Sequence, residues 1–282
     1  MCKSASAGTP VKESTAKGCI SQKLPYHLRQ FPHGFRSMGG GAPLGALAFS
    51  GVRESNNSET EGLVLRTAVY IDGFNLYYWL KPLAYRWIDL KALALAAVAK
   101  PGMTYEVVAV KYYTARVSDT RADPTKATRQ DTYIQALRAT IPELTVCYGE
   151  FRRKKKWMPR VLDGDRIGAQ VQVWDTEEKG SDVNLAVDLL NDGWGNKYDL
   201  ALVVSNDSDL ERAVLTVKKK GFRVGVLVRG DAQVVSLRKA STFYVPLTVA
   251  HLQAALMPHT IPGTAIQIPG DWREKERLSG IR

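Results

Sequence analysis

Two short apolar segments, each followed at once by an acidic and polar stretch, most constrain the fold of this chain. The first covers residues 68–71 and ends at Asp72, and the second covers residues 200–204 and is followed by Ser205-Asn206-Asp207-Ser208-Asp209. Short apolar runs bounded in this way predict buried strands. Ligands of open parallel α/β sheets lie beyond the carboxyl ends of the strands, so we expect these acidic stretches to meet at one rim.

The rest of the central region alternates between strand-like and helix-like patterns. Further strands are predicted at residues 105–115, 144–151 and 222–228, and helices at residues 76–80, 89–99, 124–139, 181–190 and 232–239. The helix at 181–190 is predicted to bury Val183, Ala186, Val187 and Leu190. Because strands alternating with helices are typical of parallel sheets, we predict a three-layer α/β/α sandwich with a mostly parallel central sheet, which is Rossmann-like.

Composition divides the chain into three regions. Residues 1–62 are rich in Ser, Gly, Thr and Lys and show little periodicity, which predicts a disordered leader and linker. A start of translation at Met38 is an alternative for this region. The folded domain is predicted over residues 63–248, and the weak signal beyond it predicts a C-terminal tail over residues 249–282.

Charge and cysteine content bound the environment and the partners of the chain. The net charge of +11 over 282 residues favours an anionic partner. Cys2, Cys19 and Cys147 are widely spaced, which argues against a disulfide framework or a zinc ribbon and suits a reducing, cytoplasmic setting. No apolar run approaches the length of a membrane span, so we expect no membrane partner.

Four aspartates are candidate metal ligands: Asp72, Asp182, Asp207 and Asp209. Each also has a structural explanation, because acidic residues stabilise the first turn of a helix by about 0.3–1 kcal/mol. The segment that begins at Ser208, with Glu at its fourth position, fits a capping box. Carboxylates that converge on one rim repel each other unless a cation compensates, and hard oxygen ligands of this kind select Mg²⁺ or Mn²⁺.

Three sequence blocks in this order carry a family resemblance. They are Val-Tyr-Ile-Asp-Gly-Phe-Asn at 69–75, Lys-Gly-Ser-Asp-Val-Asn-Leu-Ala-Val-Asp-Leu-Leu at 179–190, and Val-Val-Ser-Asn-Asp-Ser-Asp-Leu at 203–210. Together they resemble the NYN domain of the PIN-like nuclease superfamily, and are most similar to its bacterial LabA-like (DUF88) branch. The resemblance covers residues 67–245 and implies a PIN-like fold.

The resemblance also implies an activity and a site. In that family, aspartates at strand ends and helix starts bind divalent metal and hydrolyse RNA phosphodiesters. Carried over, this implies a catalytic and metal-binding set with Asn75 as a further catalytic residue and Ser205 beside it; the carboxylates are Asp72, Asp182, Asp207 and Asp209. Two positions depart from the family pattern, since Asn206 replaces a usual glycine and Leu210 a frequent phenylalanine. Asn tolerates the left-handed conformation that such a glycine adopts.

A basic run follows the predicted strand 144–151. It consists of Arg152, Arg153, Lys154, Lys155 and Lys156 and is followed by Trp157. We predict a loop here, next to a hairpin that turns at Asp163-Gly164. Such a run is often a solvated loop. The functional alternative is an RNA-binding patch, in which the cations follow phosphates and the tryptophan stacks on a base.

The favoured function is that of a Mg²⁺- or Mn²⁺-dependent ribonuclease, with DNA as an open alternative to RNA and the endo- or exonucleolytic mode undecided. A homo-oligomeric state is left open. The first rival is a non-catalytic NYN module that binds RNA or a protein partner. A weaker rival is a phosphatase of the haloacid-dehalogenase type, whose D-x-D motif requires an aspartate where this chain has Phe74.

Overall fold

Seven strands and seven α-helices make up the part of the chain that the structure, a computed structural model, describes: residues 63–230 and 234–273. The strands are β1 Leu63–Asp72, β2 Met103–Ala115, β3 Leu144–Leu162, β4 Arg166–Lys179, β5 Leu200–Val204, β6 Arg223–Arg229 and β7 Phe243–Leu247. The helices are α1 Gly73–Leu83, α2 Leu90–Val98, α3 Lys126–Thr140, α4 Ser181–Trp194, α5 Glu211–Lys219, α6 Val235–Ala240 and α7 Val249–Ala254. The predicted leader and linker, residues 1–62, lie outside the described residues.

The seven strands form one sheet in the order β4-β3-β2-β1-β5-β6-β7. Every pairing is parallel except that of β3 with β4, which is antiparallel. Strands β1 and β5 are central neighbours, and Ile71 of β1 pairs with Val204 of β5. The residues that follow these two therefore lie side by side at the carboxyl edge of the sheet.

Alternation along β1 sends side chains into two separate cores. Val69 and Ile71 join the core beneath α1, α2, α3 and α7, whereas Ala68 and Tyr70 join the core beneath α4, α5 and α6. Helices thus cover both faces of the sheet, which confirms the predicted three-layer α/β/α sandwich. Strands buried on both faces are continuously apolar, as the fully buried β5 is. No described helix is long and apolar enough to cross a membrane.

The buried face of α4 differs in part from the prediction. Ala186 and Leu190 are partly buried against the core as predicted, but Val183 and Val187 are 65% and 47% exposed, and Leu185 and Leu189 are completely buried instead. The prediction was wrong for the two valines because two apolar stripes run along this helix at helical spacing. The buried stripe continues from Leu189 to the polar Asp192, which is buried too, and a search for apolar residues passes over it.

Strand β3 is much longer than predicted. Only its first part, residues 144–149, pairs with β2, and the remainder pairs with β4 as an antiparallel hairpin. We call this hairpin, residues 150–179, the arm. The predicted turn is present, with Gly164 at φ 72° and Asp165 at φ 59°. The basic run is part of the arm and is β-strand rather than loop, because each of its residues pairs with a partner on β4.

Residues 249–273 pack into the core instead of forming a tail, and the rest of the predicted tail, residues 274–282, lies outside the described residues. Leu252, Met257 and Trp272 are among its buried side chains. The Trp87 indole donates a hydrogen bond of 2.8 Å to the carbonyl oxygen of Pro258. These apolar residues are spaced irregularly between turns, so they carry no strand or helix period from which packing could be predicted.

Candidate functional site

The carboxylate of Asp72 lies where β1 ends, beside the end of β5. The hydroxyl of Ser205, the residue that follows β5, donates a hydrogen bond of 2.9 Å to Asp72 Oδ2. The other oxygen, Oδ1, accepts from the backbone N–H of Asn75 at 3.0 Å and so caps α1. Asp72 is only 5% exposed. Burial raises its pKa above the ordinary value, against the lowering effect of these two hydrogen bonds, and the charge of Asp207 raises it further.

Gly73 allows α1 to begin at this point. A Cβ atom at this position would lie 2.5 Å from the Tyr113 carbonyl oxygen and 2.7 Å from the Tyr112 ring. Such distances are far inside van der Waals contact, and the backbone atom cannot give way easily. The glycine of the first sequence block is therefore needed for close packing against β2 rather than for an unusual backbone angle.

The segment after β5 is held by its own side chains. The Asp207 N–H donates to Ser205 Oγ at 3.0 Å, and the Asp209 N–H donates to Asp207 Oδ1 at 2.9 Å. Asp207 therefore caps the 3₁₀ turn Ser208–Leu210, which replaces the capping box predicted at Ser208. The Asp209 side chain is exposed, and none of the described residues donates a hydrogen bond to its carboxylate.

Asn75 ties the two strand ends together. Its side-chain oxygen accepts a hydrogen bond of 3.1 Å from the Asn206 N–H, and the Asn206 side-chain oxygen accepts one of 2.9 Å from the Arg229 N–H. Asn206 replaces the usual family glycine without a positive φ. The left-handed conformation that we considered for this position is therefore not used, and asparagine fits without strain.

Asp182 completes the set from the other side. It lies in the first turn of α4, after Gly180 at φ 100°. Partial burial, followed by the charges of Asp72, Asp207, Glu178 and Asp209, raises the pKa of Asp182 to about 6. Since Asp182 keeps an exposed surface, this crowding of negative charge at a solvent-accessible point is the main electrostatic feature of the site.

Glu178 is a member of this group that the sequence analysis missed. Its Oε1 accepts hydrogen bonds from the Ser181 hydroxyl at 2.7 Å and the Ser181 N–H at 3.2 Å. A Cβ at Gly149 would lie 2.7 Å from the Lys179 carbonyl oxygen, so the glycine makes room for this turn. The sequence signal for Glu178 is an acidic residue three positions before a helix start.

We call these five carboxylates the acidic rim: Asp72, Glu178, Asp182, Asp207 and Asp209. No three acidic, histidine or cysteine side chains among residues 63–230 and 234–273 form a ready-made metal-binding group. The chemistry of the donors nevertheless fits a hard divalent cation, because all are carboxylates and neighbouring negative charges contribute to the raised pKa of Asp72 and of Asp182. A cation of this kind would relieve that repulsion.

Comparison with known families decides the classification. Residues 66–248 match the NYN domain family, which is most of the chain. This chain belongs to the NYN domain family. NYN domains are part of the PIN-like nuclease superfamily, which agrees with the mostly parallel sheet and its flanking helices. The LabA-like branch stays a prediction.

Two individual proteins are similar to this NYN protein. The 6-hydroxy-3-succinoylpyridine 3-monooxygenase HspA of Pseudomonas putida is 28% identical over 244 residues, which cover 76% of this chain and 77% of HspA. A crystal structure of a protein of unknown function from Vibrio parahaemolyticus is 20% identical, covers 68% of this chain and 96% of its own, and has a TM-score of 0.42. That score is too low to support a conclusion.

The NYN fold brings together the predicted catalytic and metal-binding residues at the acidic rim, and Asn75 lies with them. The predicted RNA-binding residues lie on the arm instead. The arm contributes Glu178 to the acidic rim and contacts α1 beside it, where the Phe74 ring meets that of Phe151 edge-on with 5.5 Å between ring centres. Trp157 lies farther along the arm, and its side chain is 64% exposed.

Proposed function

We propose that this NYN protein is a metal-dependent ribonuclease that hydrolyses RNA phosphodiesters at the acidic rim. The observation that carries the proposal is the crowding of carboxylates around Asp182, whose pKa is about 6. Isolated helix caps do not require such crowding. The repulsion it causes is compensated once a divalent cation binds. Membership of the NYN family and the net charge of +11 support a nucleic acid as the substrate.

Asp72, Asp182, Asp207 and Asp209 are the residues that would hold Mg²⁺ or Mn²⁺. The ion would supply Lewis-acid stabilisation of the phosphoryl oxygens and a water of lowered pKa. Asp72 is suited to this role because its two hydrogen-bond donors fix the orientation of its carboxylate and favour its charged form. Each of its oxygens retains a lone pair for a ligand.

Asn75 is proposed to position the substrate. Its side-chain oxygen is used by the Asn206 N–H, which fixes the orientation of the amide. None of the described residues accepts a hydrogen bond from the side-chain nitrogen of Asn75, so this group is available to donate to a phosphate oxygen or to a bound water. The arm next to the rim is proposed to contribute cations that attract the RNA backbone.

A second candidate function follows from the name of HspA, a pyridine monooxygenase. Such an enzyme needs oxygen, a two-electron donor such as a reduced nicotinamide or flavin, and an enclosing site for the ring. The cavity beside Asn75, Ser205 and Asn206, which none of the five rim carboxylates lines, measures only about 10 Å³. Small-molecule sites usually measure about 300–1,000 Å³, so this cavity is too small to enclose a pyridine ring.

Incubation with labelled single-stranded RNA and DNA, in Mn²⁺, Mg²⁺ or EDTA, tests the proposal. We expect cleavage of RNA with a metal and none with EDTA. Binding of RNA without cleavage under all metal conditions would favour the non-catalytic module. Oxygen uptake with 6-hydroxy-3-succinoylpyridine and a reduced nicotinamide, without RNA cleavage, would favour the monooxygenase.

A further inference from the structure

The antiparallel pairing of the arm divides the basic run between two faces. Successive residues of a strand point to opposite sides, and directly paired residues point to the same side. Lys154 pairs with Asp175, and Lys155 pairs with Trp174. Consequently Arg152, Lys154 and Lys156 lie on one face, and Arg153 and Lys155 on the other.

On one face of the arm the cations form ion pairs with nearby carboxylates, and we call it the ion-paired face. Lys154 contacts Glu177 at 3.1 Å, and Lys156 approaches Asp175 at 3.6 Å. Arg152 approaches Glu150 on the same strand at 3.4 Å. The three cations of this face therefore already have carboxylate partners, and a phosphate would have to compete with them.

The opposite face has no such partners, and we call it the aromatic face. It consists of Phe151, Arg153, Lys155 and Trp157 on β3 and Trp174 on β4. The guanidinium of Arg153 lies 4.4 Å from the centre of the Trp174 ring, and the Lys155 ammonium lies 5.4 Å from it. Among the described residues, neither cation forms an ion pair with a carboxylate.

The two tryptophans of the aromatic face are accessible and close together. Trp157 is 64% exposed and Trp174 is 57% exposed. Trp157 pairs with Gln172, so Trp174 is its diagonal cross-strand neighbour, at a backbone separation of about 7–8 Å. Exposed aromatic rings interleaved with cations are typical of surfaces that bind single-stranded nucleic acid, where bases stack and phosphates meet the charges.

The aromatic face begins at the acidic rim. Phe151 contacts Phe74, which follows Asp72 by two residues, and Phe151 pairs with Glu178 of the rim. From Phe151 to Trp157 the strand rises by about 20 Å, enough for several nucleotides. The ion-paired face starts at the same end but points to the other side of the hairpin.

We propose that single-stranded RNA reaches the acidic rim along the aromatic face, and that the ion-paired face takes no part. This inference rests on the proposed function, because it treats the rim as the place where RNA is cut. Arg153 and Lys155 bind phosphates, and Trp157 and Trp174 stack on bases. Recognition is independent of base identity, because every base offers a ring face and the cations contact only the backbone.

A pair of charge-matched variants tests the assignment. The first carries Arg153→Gln and Lys155→Gln, and the control carries Lys154→Gln and Lys156→Gln, so each loses two positive charges from the same strand. RNA affinity is measured by fluorescence anisotropy at several salt concentrations, with EDTA present so that the RNA stays intact. We expect the aromatic-face variant to bind RNA more weakly. The plot of log binding constant against log salt concentration should also become less steep, by about 1.4 in slope. The control should keep both affinity and slope.

The stacking role is tested separately with Trp157→Ala and Trp174→Ala. Each should weaken RNA binding by roughly 5- to 150-fold if the ring stacks on a base. The matched control is Trp194→Ala on α4, where the side chain is 54% exposed but distant in sequence from the arm. It should bind like the wild type. Circular dichroism of each variant checks that the fold is retained.

Three results would overturn the inference: equal weakening in both charge variants, no weakening in either, or a change in molecular mass in the tryptophan variants without loss of RNA affinity. The last would identify the aromatic face as a protein interface. Cleavage by the wild-type protein with Mn²⁺ is a separate readout. If the two charge variants differ in RNA binding but the wild type does not cleave RNA, the binding path stands and the proposed hydrolysis fails. If the wild type cleaves RNA but the two variants bind it equally, the hydrolysis stands and the binding path fails.

Discussion

Asp182 carries the clearest electrostatic signature at the scale of single residues. With a pKa of about 6, its folded-state carboxyl holds a proton that the unfolded chain has already released at the ordinary pKa of aspartate. The folded state therefore binds more protons between about pH 4 and pH 6, and the contribution of Asp182 to the unfolding free energy falls as pH rises through that window. Above it, the rim opposes folding.

The first prediction concerns Asp182→Asn. Without metal, this variant should have a higher thermal midpoint than the wild type at pH 7, and the difference should shrink as the pH falls below about 5. Added Mn²⁺ should raise the wild-type midpoint more than that of the variant. Thermal unfolding from pH 4 to 7.5, with EDTA or Mn²⁺, measures both effects. A variant less stable than the wild type at pH 7 would show that Asp182 is a structural cap.

Asp192 is the opposite case. Burial alone would raise its pKa, yet hydrogen bonds from Lys111, Lys197 and Tyr70 lower it below the ordinary value. The Lys111 ammonium lies 2.6 Å and the Tyr70 hydroxyl 2.8 Å from Asp192 Oδ2. The stabilisation from this group is present at neutral pH and is lost as pH falls through the lowered folded-state pKa. At neutral pH the charge of Asp192 therefore stabilises the folded state, whereas the charge of Asp182 destabilises it.

The second prediction compares two aspartates that form ion pairs with basic side chains. Asp192→Ala leaves the half-buried Lys111 with a weaker partner, Asp188 at 3.4 Å, and should lower the unfolding free energy by about 3–5 kcal/mol. Asp199→Ala removes a partly exposed pair with Arg66 and should cost about 0–1 kcal/mol. Urea unfolding at pH 7 measures both. Equal costs would contradict the distinction between the two sites.

At the scale of elements, a strand or helix was predictable where its sequence shows one regular apolar pattern, and was not where two patterns compete. The strands before Asp72 and Ser205 were correctly predicted because fully buried parallel strands are continuously apolar. The face of α4 was predicted only in part, at Ala186 and Leu190, because Asp192, a polar residue of the buried face, is buried by hydrogen bonding rather than by hydrophobicity. Burial of a paired charge leaves no apolar period in the sequence.

The arm shows the same limit in another form. Consecutive Lys and Arg residues have no strand preference, so a loop was the expected structure. Their strand conformation depends on pairing with β4, where Asp175 and Glu177 supply complementary charge from more than fifteen residues away. Cross-strand pairs of opposite charge stabilise a hairpin only after it has formed, and the run by itself does not identify its partner.

At the scale of the whole molecule, the C-terminal segment determines where the folded unit ends. The family match ends at residue 248, yet the structure continues as packed core to Trp272. The Trp272 ring lies 5.9 Å from Tyr133 and 6.4 Å from Trp87, measured between ring centres. This aromatic cluster links the segment to α3 and to the loop before α2.

The third prediction tests that boundary. Trp272→Ala should lower the unfolding free energy by about 3–5 kcal/mol, because it removes a buried aromatic side chain. Trp194→Ala, which truncates an exposed tryptophan, should change it by less than about 1 kcal/mol. Denaturant unfolding of the two variants gives the comparison. A neutral effect of Trp272→Ala would mean that residues beyond 254 form a tail after all.

The arrangement of the whole molecule accounts for the proposed activity. The sheet brings two strand ends together, α4 adds Asp182, and the arm extends from the same rim. The placement of the aspartates and of Asn75 at one edge of the sheet was predictable from motifs at strand ends and a helix start, whereas their catalytic role stays a proposal. Glu178 and the two faces of the arm were not, because both depend on the register of β3 with β4.

The most direct test of the central claim is the cleavage of single-stranded RNA by Asp72→Asn. Asparagine keeps an oxygen to cap α1 and removes the buried charge, so the thermal midpoint should be unchanged or higher. Asp131→Asn, an exposed carboxylate paired with Arg116, is the matched control. With Mn²⁺, the account predicts that Asp72→Asn is inactive while the wild type and Asp131→Asn cleave equally. Cleavage at the wild-type rate by a folded Asp72→Asn variant would contradict the assignment of the acidic rim as the catalytic site.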